Sequence, residues 1–97
     1  MAIRVLLTYE KQSNSGEFIT IPENIIALLN TYKDQGKLLD FSKDESQKDK
    51  VCYTIDWVTE EAKQEFRSEP SVLTFADDAN EHNFKNNIFA NLDEFYV

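Results

Sequence analysis

The chain has 97 residues, which is enough for one domain around a single core, and we expect residues 1–97 to form that domain. A content of 41% hydrophobic and 12% aromatic residues excludes a disordered chain. Residues 56–97 carry ten acidic side chains against three basic ones, which accounts for most of the net charge of −8. A field of that sign repels phosphate groups, so it argues against binding to nucleic acid or to anionic membranes.

Cysteine usage and apolar runs indicate the compartment. Cys52 is the only cysteine and cannot form an internal disulfide, which fits a reducing environment. The first ten residues, MAIRVLLTYE, lack the basic segment and long apolar run of a signal peptide. No apolar stretch is long enough to cross a bilayer. We therefore expect a cytoplasmic protein with no membrane partner.

The first predicted strand is Ile3–Tyr9. Its alternation places on one face Ile3, Val5, Leu7 and Tyr9, and on the other Arg4, Leu6 and Thr8. A polar loop, Glu10–Glu17, follows the strand.

The first predicted helix lies between Thr20 and Gly36. Pro22 suits its first turn, because the N–H that proline lacks has no partner there. An apolar stripe recurs at helical spacing, and its members are Ile21, Ile25, Leu28, Leu29 and Tyr32. Gly36 can adopt the left-handed conformation that ends many helices.

Two strands are predicted next, joined by a charged loop at 43–50. In the first, Lys37–Ser42, alternation places Leu39 and Phe41 on one face and Leu38 and Asp40 on the other. The second, Val51–Trp57, alternates strictly. Its two faces carry Val51, Tyr53, Ile55 and Trp57 on one side and Cys52, Thr54 and Asp56 on the other.

A second helix begins directly after Trp57. Thr59 is a good N-cap, and acids follow it in the first turn. Pro70 disfavours helical geometry at Glu69, so we expect the helix to bend there. The asparagines Asn83, Asn86 and Asn87 suit a loop after the helix. The last strand is either Ile88–Leu92 or Glu94–Val97.

The resulting order, strand–helix–strand–strand–helix–strand, predicts an α+β fold of the ferredoxin-like type, with an antiparallel sheet and both helices on one face. The alternation does not decide which sheet face meets the helices. Both faces are apolar enough that we expect a cover on the second one, and the simplest cover is a second copy of the chain.

The C-terminal half resembles the dimeric α+β barrel superfamily, and within it the antibiotic-biosynthesis-monooxygenase-like proteins. The similarity lies in a strand ending at an aromatic, an acid–acid–alanine helix start, an acid–proline break and an asparagine-rich turn. Here these features are found at Tyr53–Trp57, Glu60–Ala62, Glu69–Pro70 and Asn83–Ile88. The resemblance implies a homodimer with sheets packed face to face and a cavity between each sheet and its helices.

The chain departs in two ways from the haem-degrading branch of the superfamily that it resembles. That branch has an asparagine on the first strand, where this chain has Leu6, Leu7 and Thr8. Its haem-ligating histidine follows the tryptophan by about ten residues, whereas His82 lies twenty-five residues beyond Trp57. These departures argue against haem. The quinone-forming monooxygenases of the superfamily use no cofactor, so we expect none.

The candidate ligand-binding residues are Trp57, Tyr53 and Tyr9, whose rings could line a pocket and stack on a flat molecule. A lone tryptophan at a strand end is more often part of the core, and the same alternative applies to both tyrosines. No catalytic residue stands out, because Cys52 has no basic neighbour in the sequence. One cysteine and one histidine give no zinc spacing. The acids Asp77, Asp78 and Glu81 are more simply a solvated helix face than a cation site.

Three functions stay open from the sequence. The first is a small dimeric barrel protein that binds a hydrophobic ligand between sheet and helices. The second is a cofactor-independent monooxygenase that acts on an aromatic substrate in that pocket. The third is an acidic module, an inhibitor or decoy, that binds a basic protein through the C-terminal half. Whether the chain is an enzyme is undecided at this point.

Overall fold

The computed structural model describes residues 1–12 and 16–97. Residues 13–15 of the predicted loop Glu10–Glu17 lie outside the described residues. The elements, in chain order, are β1 (Ile3–Lys11), α1 (Glu23–Asp34), β2 (Leu38–Asp44), β3 (Lys50–Trp57), α2 (Glu60–Arg67), α3 (Pro70–Lys85) and β4 (Ile88–Tyr96). None of the described helices is long and apolar enough to cross a membrane.

The four strands form one antiparallel sheet in the order β2-β3-β1-β4. The register pairs Leu7 of β1 with Tyr53 of β3 on one side and with Leu92 of β4 on the other. This arrangement confirms the predicted ferredoxin-like fold.

The face of the sheet that meets the helices is the one with the aromatic residues. Ile3, Val5 and Tyr9 of β1 are buried beneath the helices, together with Tyr53 and Trp57 of β3. The opposite face, here called the outer face, carries the alternate residues of the same strands. Its central members are Arg4, Leu6, Thr8, Cys52, Thr54 and Asp56.

Strand β2 departs from the predicted alternation, and the prediction that Leu39 and Phe41 share a face against Leu38 was wrong. The register with β3 shifts between Leu38 and Asp40, which marks a β-bulge. A bulge adds one residue to one strand and so reverses the direction of the side chains beyond it. Leu38 and Phe41 both join the core as a result, and Leu39 points into solvent.

Helix α1 begins later than predicted. Pro22 is the N-cap itself, with extended geometry, and its carbonyl accepts hydrogen bonds from the Ile25 and Ile26 amides. The stripe is confirmed, because Ile25, Leu29 and Tyr32 are buried. Gly36 has φ +74° and ends the helical segment as predicted.

The predicted bend near Pro70 is a complete break between two helices. Thr59 caps α2 by accepting a hydrogen bond from the Ala62 amide. The helix stops at Arg67, and Glu69 takes the extended geometry that a following proline favours. Pro70 then starts α3. A backbone N–H at this position would have no partner within the helix, so the N–H that proline lacks costs no hydrogen bond.

The C-terminal segment differs from its prediction in two ways. Asn83 lies inside α3 and is buried, so its placement in a loop was wrong. Asn86 and Asn87 do form the turn, and Asn87 has φ +55°. Both alternatives for the last strand fall on one nine-residue strand, except that Val97 lies beyond its end, and this strand forms an edge of the sheet beside β1.

The core between sheet and helices is divided into two clusters. The first includes Trp57, Phe66 and Tyr32, which pack edge to face or tilted with ring centroids 5.0–6.0 Å apart. The second is smaller and consists of Tyr9, Val51, Tyr53 and Ile88.

Candidate ligand cavity

A cavity of about 370 Å³ lies between the sheet and the helices, and residues of both core clusters line it. Its floor is the centre of the sheet, formed by Leu7 and Tyr9 of β1 and Tyr53 and Ile55 of β3. Its walls come from all three helices, from β2 and from the edge strand. These residues include Ile25, Leu29, Phe41, Phe66, Val72, Phe75, Ala76, Ala79, Ala90 and Leu92.

The side chains of Leu7 and Ile55 are only half-buried, which shows that packing is incomplete around the cavity. Both side chains sit at the middle of the sheet on its helix-covered face, where a complete core would bury them fully. Their neighbours Val5 and Tyr53 are buried. The core is therefore filled at its two ends and hollow in the middle.

The cavity opens between β4 and α3. The lining residues with exposed side chains are on these two elements and at the end of α2, namely Ala76, Asn80, Ala90, Asn91, Leu92 and Arg67. Arg67 is the one cationic residue among the described residues of the lining. Its guanidinium Nη1 lies 3.0 Å from Glu94 Oε1, which holds it beside the opening.

Tyr9 and Tyr53 line the cavity together. Their rings meet edge to face with centroids 6.0 Å apart. Burial raises the pKa of both phenols, most directly by penalising the phenolate. Both hydroxyls are therefore neutral at pH 7, and each can donate and accept hydrogen bonds.

Asn83 is a polar partner of Tyr9 that the sequence analysis assigned to a loop. Its amide interacts by a hydrogen bond with the Tyr9 hydroxyl and moderates the rise of the Tyr9 pKa that burial causes. Asn83 is only 6% exposed, and its Oδ1 atom has no hydrogen-bond partner in the described part of the chain. The position could have been found from its spacing, because it follows Ala79 by four residues on the buried stripe of α3.

Trp57 sits elsewhere. It is packed in the first core cluster against Tyr32 and Phe66 and is not among the residues that line the cavity. This is the position of a core residue, which is the alternative that the sequence offers for Trp57. Phe66 touches both the cavity and Trp57, so an effect of a ligand on the indole would pass through that ring.

The remaining candidates offer little chemistry. Cys52 is on the outer face, where the Thr8 hydroxyl lies 3.7 Å from its sulfur. Glu81 pairs with Lys85 on the exposed side of α3. Within residues 1–12 and 16–97, no group of three or more acidic, histidine or cysteine side chains is arranged to hold a metal ion.

Neither a protein-family profile nor a curated protein sequence matches this chain. Solved structures do match in fold. The protein Rv0793 of Mycobacterium tuberculosis has a TM-score of 0.70 at 10% identity, with 100% of this chain and 95% of that one covered.

Two further structures carry descriptions of activity. SnoaB, a cofactor-independent oxygenase from Streptomyces nogalater, has a TM-score of 0.62 at 10% identity, over 99% of this chain and 92% of that one. A provisionally named antibiotic biosynthesis monooxygenase from Deinococcus radiodurans has a TM-score of 0.59 at 13% identity, over 98% and 91%. The predicted resemblance to antibiotic-biosynthesis-monooxygenase-like proteins is thus confirmed for the fold. Sequence identities this low show a shared fold and nothing more.

Proposed function

We propose that this chain is a homodimeric protein that binds a small aromatic molecule in the cavity between its sheet and its helices. The observation that carries the proposal is the divided core. Among the described residues, five aromatic side chains line the cavity, namely Tyr9, Phe41, Tyr53, Phe66 and Phe75. Rings in such numbers favour a flat, apolar ligand with which they can stack or meet edge to face.

The size of the hollow supports binding over imperfect packing. Protein interiors rarely leave voids much larger than a water molecule, since each lost contact destabilises the fold. A volume of about 370 Å³ is far above that limit, and it falls within the range of roughly 300–1,000 Å³ seen for small-molecule sites. An apolar ligand would restore the missing contacts.

Calorimetry with 2-naphthol tests the ligand site. We expect saturable binding to the wild type and its loss in Leu7→Trp, because the indole would occupy the middle of the cavity. Leu73→Trp is the matched control, since Leu73 lies on the exposed side of α3. Thermal unfolding of both variants confirms that they fold. Absence of binding to the wild type, or equal binding by both variants, would contradict the proposal.

The homodimer is supported by the outer face of the sheet. Leu6 lies near its centre, and β4 adds Phe89 and Phe95 to the same face, opposite Glu10 and Arg4 of β1. These phenylalanines are 64% and 43% exposed. Exposed aromatic side chains on a sheet face favour a protein partner, although Asn91 and Asp93 lie between these two, and two-fold symmetry makes a second copy the simplest one.

Light scattering at low and at high salt tests the dimer. We expect a salt-resistant mass of two chains for the wild type, because the contact is apolar. Phe89→Glu should give a monomer. Phe84→Glu is the control, since that ring is 87% exposed on α3 and away from the outer face. A monomeric wild type would overturn this part of the proposal.

Cofactor-independent oxygenation is the second candidate, and the ring-lined cavity is the observation that favours it. SnoaB, described as such an oxygenase, has the same fold. With no cofactor, the substrate itself supplies the electrons: 1,5-dihydroxynaphthalene and O₂ would give 5-hydroxy-1,4-naphthoquinone and water. An oxygen electrode and the colour of the quinone test this, with the Leu7→Trp variant as the background rate. Equal rates for wild type and variant would exclude the activity on this substrate.

The acidic-module hypothesis stays a prediction. The excess acids of the C-terminal half are spread over both helices and β4, and several are already paired with Lys63, Arg67 or Lys85. Among the described residues, this distribution over several elements is that of a solvated surface.

A further inference from the structure

We infer that Arg67 is the specificity-determining residue at the mouth of the cavity, and that the ligand is an aromatic carboxylate. The ring of such a ligand enters the cavity, while its anionic group stays at the opening beside the guanidinium. This inference rests on the ligand site proposed above and names the chemical class of its ligand.

The first step is the separation of apolar and polar lining. Apart from the two tyrosines of the floor, the polar side chains in the described lining belong to Arg67, Asn80 and Asn91, and all three residues are exposed. The rest of that lining is aliphatic or aromatic. A ligand with its polar group at the opening therefore buries its ring without burying a charge, which would be strongly unfavourable.

The second step is the position of the guanidinium. Arg67 is the last residue of α2, and its side chain reaches across to β4, where Nη1 donates a hydrogen bond of 3.0 Å to Glu94 Oε1. Leu92 lies two residues before Glu94, so both side chains are on the same face of the strand. Because Leu92 lines the cavity, the charged end of Arg67 lies at the rim.

The third step is the hydrogen-bonding capacity of Arg67. A guanidinium has five N–H donors in one plane, and the contact with Glu94 uses one of them. The Arg67 side chain is 50% exposed, so a molecule at the opening can reach other donors. Two parallel hydrogen bonds from a planar fork match the geometry of a carboxylate.

The fourth step is the charge around Arg67. The carboxylate of Glu94 would by itself repel a ligand anion, but its second oxygen lies 3.0 Å from the Lys63 ammonium, so two cations share its charge. Glu60 also pairs with Lys63. These four side chains carry no net charge together, and Arg67 is the member of the group that lines the cavity.

Two probes of the same shape and different charge test the inference. Calorimetry at pH 7 with 2-naphthoate and with naphthalene-2-carboxamide measures the preference for the anion. We expect the wild type to bind 2-naphthoate roughly fivefold more tightly or better, since a hydrogen bond to a charged group is stronger than a neutral one. Arg67→Gln should remove this preference and leave carboxamide affinity within about threefold of wild type, because glutamine keeps polar donors without the charge.

Lys43→Gln is the matched control, because it changes the net charge by the same amount. The Lys43 ammonium lies 5.9 Å from the ring centre of Tyr53 and 2.6 Å from Glu45, but Lys43 is not among the described residues of the lining. Its preference for 2-naphthoate should equal that of the wild type. Loss of the preference in this variant, with retention in Arg67→Gln, would overturn the assignment to Arg67.

Arg67→Lys is the second variant, and it decides the matter if Arg67→Gln does not fold. Lysine keeps the charge but lacks the planar fork, so the preference should fall by about half or more. An unchanged preference in the Arg67 variant that folds would overturn the inference and make Arg67 only a structural partner of Glu94.

The outcomes separate this inference from the function beneath it. If the wild type binds 2-naphthol but shows no preference for 2-naphthoate over the carboxamide, the ligand site stands and the role of Arg67 is overturned. Binding of 2-naphthoate that persists in Leu7→Trp would place the anion outside the cavity and overturn the inference as well. If none of the three probes binds, the proposed ligand site fails, and the inference fails with it.

Discussion

The ammonium group of Lys63 lies 3.0 Å from Glu94 Oε2, although the Lys63 side chain is only 4% exposed. The contact joins α2 to the edge strand β4. Glu60 also lies 3.0 Å from Lys63, and Arg67 binds the second oxygen of Glu94. Burial opposes the charge of Lys63, but the hydrogen bonds to Glu60 and Glu94 outweigh it, so its pKa is raised. A charged lysine is therefore held under the end of the strand that borders the cavity mouth.

Glu94→Gln should destabilise the protein by about 1–3 kcal/mol, because it removes one of two carboxylates that compensate a buried cation. Urea unfolding measures the effect. The control is Glu81→Gln, which breaks an exposed pair with Lys85 and should have a smaller effect, because solvent screens that pair. Equal losses of unfolding free energy in the two variants would show that the Lys63 cluster contributes no more to stability than an exposed ion pair.

The pair of Arg4 and Asp56 on the outer face should make stability depend on acid. Two hydrogen bonds of 2.8 and 3.0 Å from the guanidinium lower the pKa of the Asp56 carboxyl. The folded pKa lies below the unfolded one, so the stabilisation is complete above about pH 4 and is lost as pH falls through the folded value. Asp56→Asn removes this contribution.

The difference in unfolding free energy between wild type and Asp56→Asn should be about 1 kcal/mol or less at pH 6, since Arg4 is partly exposed. It should shrink as the pH is lowered from 4 towards 2. Urea unfolding at several pH values measures it. A difference that grows in acid would have the wrong sign for this account.

The cap of α2 gives a local test. Thr59 Oγ1 accepts a hydrogen bond of 3.1 Å from the Ala62 amide and satisfies one of the free donors of the first turn. Thr59→Ala should cost about 1 kcal/mol. Thr74→Ala, at an exposed position inside α3, is the control and should be neutral or slightly stabilising, since alanine is the better helix former. A cost no larger at Thr59 than at Thr74 would contradict the role of the cap.

The sequence predicts the elements well because their signals are local. The alternation of β3, the stripe of α1 and the stop at Gly36 each depend on neighbours within one strand or turn. The bulge at Leu39 depends on the register with β3, which alternation within β2 does not contain. For that reason alternation predicts Leu38 and Phe41 on opposite faces of β2, whereas both join the core.

The candidate site was only partly predictable. Periodicity placed Tyr9 and Tyr53 each on one face of its own strand, and the structure brings these two residues together on the cavity floor. It could not show where packing is incomplete, because Trp57 and Ile55 follow the same alternation, yet one is in the core and the other borders the hollow. Asn83 was missed because an asparagine near other asparagines resembles a turn, whereas its tertiary partner Tyr9 lies on another element.

Gly16 and Asn86 provide the last test, at the contact between the loop before α1 and the end of α3. The Gly16 amide donates to the Asn86 carbonyl, and a Cβ atom on Gly16 would overlap the side-chain oxygen Oδ1 of Asn86. Gly16→Ala therefore forces the Asn86 side chain to turn away. That movement breaks the 2.8 Å hydrogen bond from Asn86 Nδ2 to the His82 carbonyl, at a cost of about 1 kcal/mol.

A double-mutant cycle isolates this contact. Asn86→Ala removes the atoms that a new Cβ would meet most closely, so Gly16→Ala should cost much less in that background than in the wild type. The coupling, measured by urea unfolding, should be about 1 kcal/mol. Additive losses would mean that the clash with the Asn86 side chain is not what excludes a larger residue at Gly16, and that its cost comes from the backbone of the loop instead.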